Sequence, residues 1–339
     1  MVSAALACAL LGLLLLAAAP AAAQKKKRWV TIWEDRFSDR QAPTGGNSKW
    51  IAQLGNGGDY YIPGWGNDEL QVYTSDASNL RLESVGGGKK NLVIEAKYNP
   101  AAPEGLRFTS ARIRTYSRFS VAPGPVHRRV RIEARFKATP GWGLWPAFWM
   151  LPEGATSAIS SGSGIYGEWA TSGEIDIAEL RNQMQLNIGS LHFGGQYNWN
   201  PANLLASYDT PHAPNAWHTY AIEWEANRIR WFLDGQPFYA AFSGEGTCKP
   251  SPINPPLWCS TAPNAGPNSP FDQPFHILLN LAVGGRFTYV DQNGDGKLEP
   301  LPLQTILTSF SNPAAPPQLR VEYVRVLGCP ATSFDDVCA

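Results

Sequence analysis

The chain carries three acids in one short run, Glu174-Ile175-Asp176-Ile177-Ala178-Glu179. A pair of carboxyl groups can divide acid and base work. One, ionised, attacks an electrophilic carbon; the other, protonated, releases the leaving oxygen and later takes a proton from water. Alternation with isoleucine puts Glu174 and Asp176 on one face of a strand. Glu179 lies five residues from Glu174, so a regular strand would send it to the opposite face. One extra residue, a β-bulge near Ala178, brings it back. Glu174 and Glu179 would then flank one bond at about 5–5.5 Å, the separation used by glycoside hydrolysis with retention of configuration. Glu174 is the candidate nucleophile and Glu179 the candidate acid/base, with Asp176 between them to help hold a shared proton. Crowded acids oppose one another's ionisation, so at least one pKa is expected to be raised. The competing reading is a solvated acidic strand face or a calcium site. Isoleucines at the alternate positions count against it, because they call for burial behind the acids.

The elements that must position these groups read as strands. Runs rich in Val, Ile, Phe, Tyr and Trp fall at 28–33, 91–97, 131–137, 146–151, 174–177, 187–193, 218–225, 228–233, 276–283 and 319–326, many alternating apolar with polar. Turn residues separate them, among them Gly86-Gly87-Gly88, Pro123-Gly124-Pro125, Asp234-Gly235 and Gly284-Gly285. Glu225-Ala226-Asn227 reads as a hairpin turn. Only 305–310 suggests a short helix. The fold class is therefore all-β, a sandwich of two antiparallel sheets. No linker interrupts the strands, so residues 24–339 are expected to form one domain. The Gly/Pro/Ser/Asn-rich stretch 244–270 reads as a long loop on that body.

Composition narrows the partners. Of 339 residues, 28 are Lys or Arg and 28 are Asp or Glu, a formal net charge of zero. A nucleic-acid or anionic-membrane partner asks for a basic surplus that is absent. The 13 tryptophans exceed what a core needs, and about half are expected to stack on flat, weakly polar ligands such as sugar rings. Residues 4–23 are an apolar Leu/Ala run ending in Ala21-Ala22-Ala23, read as a signal peptide spanning 1–23 and cleaved after Ala23. The basic cluster 25–28 follows that run instead of preceding it, which leaves an uncleaved anchor as the alternative. Beyond it no stretch is long and apolar enough to span a bilayer, so no membrane association is expected after cleavage. Four cysteines remain outside the leader, an even number that suits a secreted, extracellular protein. Four allow three connectivities; the two local pairs, Cys248–Cys259 and Cys329–Cys338, are the expectation. A monomer is expected.

The acidic strand resembles the signature of glycoside hydrolase family 16, whose laminarinase-like members carry Glu-Ile-Asp-Ile-x-Glu. The resemblance extends along the chain. Gly143-Leu144-Trp145-Pro146-Ala147-Phe148-Trp149-Met150 is similar to the family's preceding strand and Leu191-His192-Phe193-Gly194 to the following one. Gly66-Asn67-Asp68-Glu69-Leu70-Gln71 and Thr109-Ser110-Ala111-Arg112 resemble N-terminal cleft segments, and 274–285 and 321–326 the closing strands. It implies a concanavalin A-like β-jelly roll with an open concave cleft. It also implies a retaining endo-glycosidase acting on internal β-1,3 bonds of a laminarin-type β-glucan, with no cofactor for catalysis. Ala178 is the extra residue that separates the laminarinase branch from lichenase and xyloglucan-acting enzymes, which read Glu-Ile-Asp-Ile-Glu. A cell-wall glucan transglycosylase and a non-catalytic β-1,3-glucan recognition protein are the alternatives. Retention of both glutamates argues against the second.

Further site residues follow from strand geometry and from the resemblance. Trp145 and Trp149, four apart, share a strand face; by resemblance that face is the cleft, with Trp142 a third platform. For each, a place in the core is the competing reading. Asn67 and Arg112 resemble residues that hold glucose hydroxyls on the donor side, although a surface salt bridge is an equal reading for Arg112. His192 resembles a histidine that reaches the acid/base or an acceptor sugar. Glu133 and Arg135 are expected to form a structural ion pair. Family members often bind a structural calcium away from the cleft, and Glu34 and Glu322 are the nearest matches here. Asp291-Gln292-Asn293-Gly294-Asp295-Gly296 looks like half an EF-hand loop, with Glu299 at its ninth position and Pro302 where the bidentate Glu belongs; a polar turn is the competing reading.

Overall fold

A computed structural model describes residues 28–39, 42–154, 163–195, 203–244, 248, 257–330 and 338. The expected leader, 1–23, lies outside them. All ten strands anticipated above are present, six of them one to four residues longer, as in Leu144–Pro152 and Gln318–Cys329. The hairpin turns are two-residue loops: Ala226-Asn227 joins paired Glu225 and Arg228, and Asp234-Gly235 joins Leu233 and Gln236. Asp234 and Gly235 both take positive φ, 49° and 80°, the backbone that the right-handed twist of a hairpin requires. The helix expected at 305–310 is a single turn, Leu303–Leu307, running on into a 3-10 turn at Thr308–Phe310. Among the described residues no helix is long and apolar enough to cross a membrane.

The strands form a jelly roll of two large sheets with a three-stranded addition. The seven-stranded sheet has the order Asn203–Pro211, Leu186–Gly194, Glu174–Glu179, Leu144–Pro152, Phe275–Val283, Arg112–Arg114, Ile51–Ala52, so the acidic strand is interior and paired on both sides. The nine-stranded sheet is built around Arg129–Ala138 and Gln318–Cys329. Alternation decides what lies between them. Phe148, Met150, Ile175, Ile177, Leu191, Ile277 and Leu279 face inward from one sheet; Val130, Ile132, Phe136, Ile222, Trp224, Trp231, Val324 and Val326 face inward from the other. Each large side chain so buried contributes about 1.5–3 kcal/mol. Both anticipated disulfides, Cys248–Cys259 and Cys329–Cys338, are formed.

The outward face of the nine-stranded sheet is ordered by charge. Glu133 does not pair with Arg135, as expected from their shared face. It accepts from Arg131 Nε at 2.7 Å and Arg325 Nε at 2.6 Å, while Arg135 pairs with Glu322 on the neighbouring strand. Glu133 thus takes one partner two along its own strand and one opposite it on Gln318–Cys329, and the second of these depends on strand pairing that the sequence cannot display. The lattice continues through Arg131–Glu223, Arg230–Glu223, Arg129–Glu225, Arg81–Glu95 and Arg320–Glu83.

Burial pushes the Glu133 carboxyl up, but Arg131 and Arg325 outweigh it and hold the group below its ordinary value of 4.5. A carboxyl depressed by folding contributes stability above its unfolded pKa and loses it as pH falls through the lower folded value. Thermal melts should therefore show Tm falling steeply below pH 4.5. Glu133→Gln should lower Tm at pH 7 by about 5 °C, since it takes the acid partner from Arg325 and leaves Arg131 with Glu223 alone, and flatten that acid slope. An unchanged slope would remove Glu133 from the account.

Candidate active site

The site depends on how the Glu174–Glu179 strand is irregular. On one side Asp176 pairs with Trp149 and Ala178 with Phe148, leaving Ile177 without a partner. On the other side Asp176 pairs with Ser190 and Glu179 with Ile188, so Ile177 and Ala178 together face Gly189. This is the anticipated bulge. Ile175, Ile177 and Ala178 all enter the core, and Glu174, Asp176 and Glu179 share the opposite face. The bulge is held from behind: Trp231 of the other sheet donates its indole N–H to the Asp176 carbonyl at 2.8 Å. Gly189 makes room for that ring, since a Cβ there would lie 2.5 Å from Trp231 Cδ1.

Each glutamate receives one indole N–H. Trp169 donates to Glu174 Oε2 at 2.9 Å, and Trp145 donates to Glu179 Oε1 at 3.0 Å. His192 pairs directly opposite Glu174 in the ladder, with Nε2 3.3 Å from Asp176 Oδ2 and 4.0 Å from Glu174 Oε1. Burial raises Glu174 to about 8, helped by Asp176 and opposed by His192, Trp169 and Arg112. Burial also pushes Glu179 well up, and both Asp176 and Glu174 add to the effect. Glu174 thus has Arg112 favouring its anion, whereas Glu179 faces a second carboxylate. Glu174 ionises first and Glu179 keeps its proton, the order that a nucleophile and an acid need. Burial disfavours the His192 cation, but the bond to Asp176 and the charges of all three acids outweigh it and lift the imidazole to about 10. Donor atoms of Glu174, Asp176 and His192 come within 4.8 Å of one another. A cation is poorly served there, because a protonated imidazole has no lone pair to offer.

The structure brings the other expected residues into a second cluster beside the acids. Arg112 is buried, not a surface salt bridge, with its guanidinium 4.5 Å from the Trp65 ring and 4.6 Å from the Trp149 ring. Trp149 donates to Asn280 Oδ1 at 2.7 Å, Asn280 Nδ2 to Tyr73 Oη at 3.1 Å, and Tyr73 Oη to Glu69 Oε2 at 3.2 Å. Asn67 Nδ2 reaches Glu69 Oε1 at 3.4 Å. Trp145 and Trp149 both lie on the acidic face, and Trp145 also packs on Phe287. Trp142 stands apart: its ring is about a third exposed, and its carbonyl accepts from Ser309 Oγ beside the short helix. Trp65, Glu69, Trp169, Asn280 and Phe287 escaped the sequence reading. Glu69 and Trp65 sit in the motif around Asn67, a signal that could have found them. Trp169 and Asn280 are placed by folding alone.

The carboxylates considered for calcium are otherwise engaged. Glu34 pairs with Arg36 at 2.8 Å and Glu322 with Arg135, so each already faces a guanidinium that a calcium ion would have to displace. The Asp291 carboxylate accepts backbone N–H groups of Asn293, Gly294, Asp295 and Gly296 at 2.7–3.2 Å, and Asn293 Nδ2 donates to Glu299 at 3.2 Å. That is the arrangement of a polar turn.

A jelly roll whose bulged strand turns two buried, partnered glutamates toward an aromatic-rich face has the equipment of a glycosidase. The model of glycosyl hydrolases family 16 matches residues 60–259, and the chain belongs to that family. It is similar to glucan endo-1,3-beta-glucosidase A1 of Niallia circulans, 35% identical over 76% of this chain, though spanning 34% of that longer protein. The beta-glucanase of Rhodothermus marinus is 34% identical over 88% of this chain and 85% of its own length. Among solved structures, the endo-beta-1,3-glucanase of Pyrococcus furiosus superposes with a TM-score of 0.60 at 29% identity, covering 89% of this chain and 95% of the other.

The charge arrangement sets the pH dependence. With Glu174 as the nucleophile, the acid limb of kcat/KM should lie well above pH 4.5, toward 8. Replacing His192 by Gln removes a cation that favours that anion, raises the Glu174 pKa and moves the limb further up. An acid limb at ordinary carboxylate pH in both proteins would contradict this reading.

Proposed function

We propose that the chain is a retaining endo-β-1,3-glucanase. The observation that carries this is the bulge at Ile177–Ala178, which sets a partnered, proton-retaining Glu179 on the same face as the more readily ionised Glu174. Glu174 attacks the anomeric carbon while Glu179 gives its proton to the departing glycosidic oxygen. The resulting glycosyl–Glu174 ester is then opened by a water molecule that Glu179, now ionised, deprotonates. Asp176, between them and beside His192, keeps negative charge near the shared proton. Trp145 and Trp149 offer ring faces for sugars, and Arg112 and Asn67 are assigned to donor-side hydroxyls by their likeness to family residues. Trp142 is kept as an outer platform.

The β-1,3 linkage is supported by the named activities of the relatives and by the extra residue Ala178. The same reading places the enzyme outside the cell, as a monomer in one domain after removal of residues 1–23. The two disulfides suit that compartment. Hydrolysis is preferred to binding alone because both glutamates are present and each is oriented by an indole N–H.

Laminarin, curdlan, barley mixed-linkage glucan and agarose should be compared by reducing-end release. Laminarin should be cut fastest, with newly formed ends in the β configuration by NMR at early times. Glu174→Gln and Glu179→Gln should each lose about 10³-fold or more in kcat. Wild-type rates in the Glu174 variant, or α-configured products, would overturn the assignment.

A further inference from the structure

On the side of the molecule away from the carboxylates, the charge lattice of the nine-stranded sheet breaks down in one place. Gln318–Cys329 changes neighbour there. Its residues 318–321 pair with Lys89–Glu95 and its residues 324–328 with Val30–Asp35. Between the two sets of pairs, Glu322 and Tyr323 pair with neither neighbour, and the register against Arg129–Ala138 shifts between Val321 and Tyr323. The result is a depression of about 540 Å³, within the range of about 300–1,000 Å³ usual for small-ligand sites. A second depression of about 250 Å³ adjoins it, with Lys137 and Arg320 in the lining of both.

The lining is one-signed. Arg36, Lys89, Lys90, Arg135, Lys137 and Arg320 contribute positive charge; Glu322 is the acid present, and the second depression has none. The arginines of the groove are matched by glutamates as they are elsewhere on this face, Arg36 by Glu34, Arg135 by Glu322 and Arg320 by Glu83, so the excess charge lies on the lysines. In the groove Lys89 and Lys137 form no ion pair among the described residues. A chain of zero net charge has thus gathered cations into a concavity. Trp217 joins them, with Arg135 5.3 Å and Lys137 5.7 Å from its ring centre, and its half-buried indole gives the site a flat apolar wall.

We propose that this groove is a second glycan site, for a polysaccharide strand that carries anionic groups, carboxylate or sulfate. Two adjoining depressions suit a polymer, the unpaired lysines suit its charges, and the indole suits a sugar ring. The choice of a glycan over other polyanions rests on the reading of the protein as a polysaccharide-acting enzyme. The site would tether the enzyme to an acidic matrix while the opposite sheet works on neutral glucan.

The full-length protein should be titrated by calorimetry with polygalacturonate, dextran sulfate, neutral laminarin and duplex DNA, using Glu174→Gln to prevent turnover. Binding to one or both acidic glycans should survive in Glu174→Gln, weaken as salt is raised, and fall at least tenfold in Lys89→Ala/Lys137→Ala. Comparison of the two acidic glycans assigns carboxylate or sulfate. Hydrolysis of short laminari-oligosaccharides by the double variant should stay at the wild-type level. No acidic-glycan binding, binding that the double variant leaves unchanged, or equal affinity for DNA would each overturn the proposal. Wild-type laminarin hydrolysis, measured separately, reports on the enzymatic reading alone.

Discussion

One irregularity in one strand governs the chemistry of this protein. Side chains on a regular strand alternate between faces, so two acids five positions apart can share a face only if the ladder slips by one residue. The slip at Ile177–Ala178 is costly in lost pairing and needs support. It gets it from the hydrophobic layer, where both residues are buried, and from Trp231, which crosses from the opposite sheet to bond the Asp176 carbonyl. Gly189 opposite the bulge is the corollary, because no larger residue leaves room for that indole. A core tryptophan and a glycine, neither of which touches the reacting face, therefore decide where Glu179 points.

The second constraint is dielectric. Three carboxyl groups taken out of water beside one another cannot all ionise. The site resolves this by unequal company. His192, beside Asp176, favours the anion of both glutamates; Arg112 adds its charge on the Glu174 side, and Glu179 meets two opposing acids where Glu174 meets one, Asp176. Division of roles between chemically identical side chains is thus set by where the cations lie. Arg112 can serve this purpose while buried because the rings of Trp65 and Trp149 hold its guanidinium by their faces, an arrangement that suits a weakly hydrated planar cation.

The two faces of the sandwich solve different problems with the same residue types. On the seven-stranded sheet, acids are crowded to retain a proton. On the nine-stranded sheet, acids and arginines alternate across strands so that each charge is answered, as in the Arg325–Glu133–Arg131–Glu223–Arg230 series. The groove with Lys89 and Lys137 stands out because it departs from that rule.

Local chemistry was legible in the sequence wherever a short-range rule applied. Period-two alternation gave ten strands, and the five-residue spacing of Glu174 and Glu179 required a bulge before any coordinates were known. Two pairs of nearby cysteines pointed to their own partners. Some of the other strands, such as Gln71–Tyr73, Phe108–Ser110 and Arg112–Arg114, are too brief for periodicity to register, whereas Leu80–Gly86, Asn203–Pro211 and Gln236–Ser243 are of ordinary length and carry no comparable run of β-branched and aromatic residues in strict alternation. What joins distant segments could not be read. By sequence Arg112 suits a surface ion pair equally well, yet it lies buried between Trp65 and Trp149; Glu133 shares a strand face with Arg135 but bonds Arg131 and Arg325; Trp169 and Asn280 carry no local sign of nearing the acids. The chain alone determined which faces are apolar and which spacings can do chemistry, because those follow from the repeat of a strand. The assembled tertiary structure decided which partner each charge and each indole meets, because sheet order and register bring together residues more than a hundred positions apart.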